Sequence, residues 1–190
     1  MKWFTSDWHL GDDRIGVNGK LNLYFRPFES VGEQNERIVF NFIESGFDDG
    51  DELWHLGDVL YNTEPIQYLD WIRDSFPNSK FNLIIGNYDE DKLGILEKYF
   101  DNIYQDAAIY VDESFVYLNH YPRNCIKTME EMKETYDFCI TGHIHGLWKI
   151  QKGMVNVGVD AWHFKPVSET EIDFIMNACK KYYDENVFPY

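Results

Sequence analysis

Five short motifs along this chain gather residue types that bind metal ions: Asp7-Trp8-His9, Gly57-Asp58, Gly86-Asn87-Tyr88-Asp89, Asn119-His120-Tyr121-Pro122 and Gly142-His143-Ile144-His145-Gly146. Two carboxylates, one amide and three or four imidazoles make a mixed nitrogen and oxygen donor set. Such a set suits Mn, Fe, Zn, Co or Ni rather than Ca or Mg. It holds too many ligands for one tetrahedral ion, so two ions sharing a bridging carboxylate fit better. A two-metal site about 3.5–4 Å across activates water and clamps phosphate oxygens, which makes it a device for phosphoryl chemistry. A single D-x-H is a weak signal and an H-x-H between glycines a moderate one. Five such motifs, each at the end of a strand-like run, form a specific pattern.

Those runs are the elements that must position the chemistry. Trp3–Ser6, Glu52–Leu56, Phe81–Ile85, Val116–Asn119, Phe138–Thr141 and Val155–Val159 are apolar, β-branched or aromatic and read as strands. In an open α/β sheet the ligand crevice lies outside the carboxyl ends of the strands, so five loops converge on one place. In extended backbone, residues i and i+2 face the same way. Asp7 with His9, and His143 with His145, are therefore expected to grip ions from extended segments. The glycines before Asp58, Asn87 and His143 are expected to let the chain turn sharply.

Helix signals fill the intervals. Ser30 to Glu33 has capping-box form, ahead of Ile38, Val39, Phe42 and Ile43 at helical spacing. Thr63 is expected to cap a helix through Asp74, and Asp91–Tyr99 is a third. Thr128 opens a short helix to Tyr136, and Ser168 opens the last, with Ile172, Ile175, Met176 and Cys179 as its apolar stripe. Alternation of strands and helices gives an α/β class. Extra strands between Ile103 and Asn119 and between Leu147 and Val159 predict a second, partly antiparallel sheet.

Composition bounds the rest. The 190 residues suit a single domain, 1–190, with 44% hydrophobic and 26% charged residues, which excludes a disordered chain. Aromatics reach 17%, so the core should be rich in rings. No apolar run approaches a membrane span, and the first residues lack the apolar region of a signal peptide. A net charge of −16 disfavours a broad basic face for duplex nucleic acid and favours a small substrate. Cys125, Cys139 and Cys179 have no C-x-x-C spacing and are odd in number, so they are read as free thiols. A cytoplasmic location is the matching expectation.

The motif set resembles the calcineurin-like metallophosphoesterase superfamily, whose pattern is D-x-H, G-D, G-N-H-[DE], a lone H and G-H-x-H. The match spans Asp7 to His145, about three quarters of the chain. Phe4-Thr5-Ser6-Asp7, Arg26-Pro27-Phe28, Trp54-His55-Leu56-Gly57-Asp58, His120-Tyr121-Pro122 and Asn156-Val157-Gly158-Val159-Asp160 look closest to a small bacterial and phage branch without a cap domain. The resemblance implies a four-layer α/β/β/α sandwich of two packed mixed sheets flanked by helices. It implies two divalent transition-metal ions, with manganese favoured. Asp7, His9 and His145 would hold one, Asn87, His120 and His143 the other, and Asp58 would bridge them. The implied activity is hydrolysis of phosphomonoesters or phosphodiesters by a metal-bridging hydroxide, with Asp58 and His120 in the catalytic machinery. The expected partner is a small, nucleotide-type phosphoester, met by a monomer or homodimer.

One position departs from the pattern. Tyr88 stands where the family has a histidine taken to protonate the leaving group. With a pKa near 10, a phenol is a poorer acid at neutral pH. Three readings stay open: Tyr88 still donates a proton, the substrate has a good leaving group, or the chain is a metal-binding scaffold with little turnover. Asn87, Arg26 and Arg123 are candidate phosphate partners, although each arginine serves equally well in a loop salt bridge. Asp89 and Asp160 are expected to order loops, His55 to sit in or beside the core, and His163 to be structural. Trp8, Tyr24, Tyr61 and Trp162 are more simply core residues than stacking platforms.

Overall fold

The computed structural model describes residues 1–14, 26–132 and 135–182. The first strand, β1 (Lys2–Thr5), buries three of its four residues, as a strand covered on both faces must. Its parallel neighbours are β2 (Glu52–His55), β3 (Lys80–Ile84) and β4 (Asn102–Tyr104), and the short β10 (Val167–Ser168) runs antiparallel on its other side. This first sheet has the order β10-β1-β2-β3-β4. The second contains β5 (Ala107–Val111), β6 (Ser114–Leu118), β7 (Phe138–Thr141), β9 (Met154–Asn156) and β8 (Ile150–Gln151), in that spatial order. There β6, β7 and β9 are parallel, and β5 and β8 are antiparallel edges. Both sheets are mixed, as the extra strands predicted.

Helices α1 (Val31–Ile43) and α2 (Gln67–Ser75) cover the outer face of the first sheet. Ile38, Val39, Phe42, Leu69 and Ile72 meet Leu53, Phe81 and Leu83 there. Phe42 lies at the centre of a ring cluster with Trp8, Phe47, Phe76 and Phe81, where the aromatic excess goes. Between the sheets, Phe4, Leu56 and Ile84 pack with Leu118, Phe138, Ile140 and Val155, joined by Ile172 and Met176 of α5 (Glu169–Tyr182). On the far side, α4 (Pro122–Glu131) lies on β7 through Cys125 and Cys139. The result is the α/β/β/α layering expected. None of the described helices is long and apolar enough to cross a membrane.

Element ends follow local chemistry. Ser30 Oγ accepts the Glu33 N–H and Glu33 accepts the Glu29 N–H, closing the first cap. Ser168 and Glu171 close a reciprocal capping box at α5. Three helix expectations need correction. α2 begins at Gln67 rather than at Thr63 and has no side-chain cap. The Asp91–Tyr99 segment is a 3-10 turn, Glu90–Lys92, followed by the single-turn α3 (Leu93–Leu96), which contains Gly94. α4 begins at Pro122, well before Thr128, because proline at a helix start costs no hydrogen bond and presets φ.

The thiol expectation fails for two of the three cysteines. Packing of α4 on β7 brings the Cα atoms of Cys125 and Cys139 to 6.0 Å, and their sulfurs are bonded. Only Cys179 is free. The pairing comes from tertiary packing across a separation of 14 residues, so no local motif announces it.

Candidate metal centre

Register places the motifs together. Thr5 pairs with His55 and His55 with Leu83, so the loops carrying Asp7, Asp58 and Asn87 leave the first sheet side by side. In the second sheet Leu118 pairs with Ile140, which brings out His120 and His143 at one edge. The sheets meet there: Ser6 bridges Gly158, and the Val159 N–H donates to Ser6 O at 3.1 Å.

The ligand side chains form two groups. Asp7, His9 and His145 have ligand atoms within 4.8 Å of one another, and so do Asp58, His120 and His143. Asp58 stands between the groups, with Oδ2 3.4 Å from His9 Nε2 and 3.5 Å from His120 Nε2. Asn87 Oδ1 lies 3.3 Å from His120 Nε2 and faces the same spot. Asn87 and His143 are exposed, so the centre opens on their side.

The mechanism of presentation is not the expected one. The strands stop at Thr5 and Thr141, and Asp7, His9, Asp58, His143 and His145 all have φ between 48° and 73°. Backbone in this left-handed region is rare for residues with a side chain and clusters at functional sites. Asp7 and His9 therefore reach one group from left-handed, not extended, backbone, and His143 and His145, also left-handed, go to different groups. The glycines also differ in purpose. Gly57 has φ 95° and makes a turn. Gly86 and Gly142 provide space instead: a Cβ on Gly86 would collide with the Asp58 carboxylate, and one on Gly142 with Ser6 Oγ.

Neighbouring groups aim the imidazoles. His120 Nδ1 lies 2.6 Å from Leu56 O, a group that only accepts, so Nδ1 carries a proton and Nε2 is the nitrogen that faces Asp58 and Asn87. His145 Nδ1 donates to Asp160 Oδ2 at 2.7 Å, leaving its Nε2 for the centre. The Asp89 carboxylate accepts from the N–H groups of Asp58, Val59 and Gly86, tying two ligand loops together. His9 is buried, yet neither ring nitrogen has a hydrogen-bond partner among the described residues. A buried polar group so placed is costly unless something binds it. Orphaned imidazole beside carboxylate oxygens fits a divalent ion.

Electrostatics agree. Burial raises Asp7 and Asp89, the latter to about 6, and pushes His9 well down. Burial alone would raise Asp58, but hydrogen bonding and charge from His120, with His9, pull it down to about 2. Burial opposes protonation of His120, but Asp58 and Asp7 overcome it and lift it to about 9. Two carboxylates, Asp7 and Asp58, thus share this space with the imidazoles.

Other candidates fall outside the centre. Arg26 is fully buried, and its guanidinium bonds Asp160, Trp8 O and Asp7 O. Of its two expected roles the structure shows the loop salt bridge: its donors hold the Asp7 loop and Asp160, and it is not left for a phosphate. Arg123 is exposed in the first turn of α4, and Tyr88 is half-buried beside His9, ring centroids 5.0 Å apart. His55 is a core residue, held near pKa 3 by burial, and Trp8 packs in the core. Tyr24 lies outside the described residues. The site residue that the sequence did not single out is Arg14, whose Nη2 lies 3.3 Å from Tyr88 Oη.

No protein-family model matches the chain. It is 27% identical to the Gene 66 protein of Mycobacterium phage L5, over 92% of this chain and 93% of that one. The crystal structure of a protein of unknown function from Aquifex aeolicus superposes with a TM-score of 0.73 at 28% identity, covering 92% of this chain and 98% of that one. An archaeal phosphodiesterase structure gives a TM-score of 0.46 at 16% identity, covering 83% of this chain and 81% of that one.

Proposed function

We propose that this protein is a dinuclear-metal phosphoesterase acting on small phosphomonoesters or phosphodiesters. The observation that carries the reading is Asp58 standing between two Asp/His groups, within 3.5 Å of an imidazole from each. Two bound divalent ions would supply a water of lowered pKa and positive charge against phosphate oxygens. Asp7, His9 and His145 would hold one; Asn87, His120 and His143 would hold the other, with Asp58 shared. The chain's own residues then orient the substrate. Asn87 turns its oxygen inward, which leaves its amide N–H groups towards the open side. Tyr88 offers a phenolic donor at the rim, and Arg123 an exposed cation. The net charge of −16 favours a small substrate over a long polyanion.

The test is hydrolysis of bis-p-nitrophenyl phosphate after chelation and reloading with Mn. Its good leaving group needs little acid assistance, so the assay reports on the centre itself. Activity lost with chelator and restored by Mn supports the reading. A second reading, a metal-binding scaffold, is favoured by Tyr88 in the histidine's place. Filled sites with no hydrolysis would select it.

A further inference from the structure

We propose that Arg14 and Tyr88 form the phosphate-binding pair of this site; the proposal rests on the phosphoesterase reading above. Arg14 is built in from three directions. Its Nε and Nη2 make a bidentate pair with the carboxylate of the buried Asp12, at 2.8 and 2.7 Å, and its own N–H donates to Asp12 Oδ1. Its guanidinium lies 4.0 Å from the centroid of the Tyr61 ring. Its Nη2 donates to Tyr88 Oη. Tyr88 is fixed in turn against both metal groups: its ring meets the edge of His9, and its N–H donates to Asp58 Oδ1 at 2.9 Å.

This geometry leaves two donors unused. Nη1 has no acceptor among the described residues, and the side chain keeps 30% of its surface exposed. Because Arg14 donates to the phenol oxygen, the phenolic proton points elsewhere. A guanidinium held by its side edge presents its remaining N–H groups to an oxyanion without further loss of freedom. Two other nearby cations are committed, while Arg123 stands exposed on α4. Arg26 is buried on Asp160, and Lys92 bonds Tyr88 O and Asp91. The substrate phosphate would therefore meet the ions on one side and the Arg14–Tyr88 donors on the other. This is the role the sequence suggested for Arg26.

The experiment titrates inorganic phosphate into the Mn-loaded protein by calorimetry and measures KM and kcat on p-nitrophenyl phosphate, with metal content and melting temperature recorded. Arg14→Ala strands the buried Asp12, so Arg14→Lys, which keeps the charge, and Tyr88→Phe are made beside it. Weakening of phosphate binding by about tenfold or more in Arg14→Ala is expected, with a matching rise in KM and two ions retained. Arg14→Lys should recover part of that loss and Tyr88→Phe should show a smaller one. Phosphate affinity and KM within about twofold of the parent in Arg14→Lys and Tyr88→Phe, with ions in place, would overturn the proposal and leave the phosphoesterase reading intact. A parent chain that holds both ions but neither binds phosphate nor hydrolyses any ester would overturn both.

Discussion

Asp160 accepts the Nδ1 proton of His145 at 2.7 Å, and the same carboxylate is gripped by the buried Arg26. The triad fixes which nitrogen of His145 faces the centre, and the Arg26 contacts to Asp7 O and Trp8 O carry that order to the first ligand loop. Removing the carboxylate charge loosens both. Asp160→Asn is expected to weaken metal binding by about 10–100-fold, the usual cost of losing a ligand's hydrogen-bond partner. Competition with a chelating dye measures it, and unchanged affinity would show that Asp160 only shapes the loop.

Gly86 and Gly94 give a matched pair of substitutions. A Cβ at Gly86 would overlap the Asp58 carboxylate and backbone, whereas nothing lies within 4 Å of one at Gly94, inside α3. Gly86→Ala should cost about 1–3 kcal/mol and abolish binding of at least one ion. Gly94→Ala should stabilise by about 0.5–1 kcal/mol and leave metal binding alone. Urea melts with and without chelator read both effects.

His9 predicts an opposition between stability and function. In the metal-free chain its two buried nitrogens have no hydrogen-bond partner among the described residues, and a buried unsatisfied group costs about 1–3 kcal/mol. His9→Leu should therefore raise the stability of the chelated protein by about 1 kcal/mol while removing the stabilisation gained on adding Mn. A destabilised chelated variant would mean that the histidine is satisfied without an ion.

The Cys125–Cys139 bond ties the helix that follows His120 to the strand that leads to His143. Both cysteines are fully buried. Closing a loop of this length stabilises by about 3 kcal/mol in the chain-entropy description. Cys125→Ser should lower the urea midpoint accordingly, and the intact parent should gain two hydrogens in mass on unfolding with dithiothreitol. A parent already carrying three thiols would contradict the bond.

The residues that gather in the two Asp/His groups were legible because each motif sits at a strand end, and strand ends are readable from short apolar runs. The two mixed sheets and the caps at Ser30 and Ser168 were readable from equally local signals. What was not legible depends on distance. Arg26 meets Asp160 across 134 positions, and its burial cannot be read from Arg-Pro-Phe. Arg14 lacks any local mark that separates it from an ordinary loop arginine; only the fold brings Tyr61 and Tyr88 to it. The i, i+2 spacing of Asp7 and His9 was read correctly as shared aim but for the wrong backbone, since both residues have positive φ and neither lies in a strand. Pro122, rather than the Thr128 capping box, set the start of α4 because a box inside a helix has nothing left to cap.

The proposed function depends on a two-ion centre with Asp58 between the ions. The most direct measurement is anomalous diffraction at the manganese edge from Mn-loaded crystals. Two peaks about 3.5–4 Å apart are predicted, one against Asp7, His9 and His145, the other against Asn87, His120 and His143, with Asp58 touching both. A single peak, or none with the residues in these positions, would contradict it.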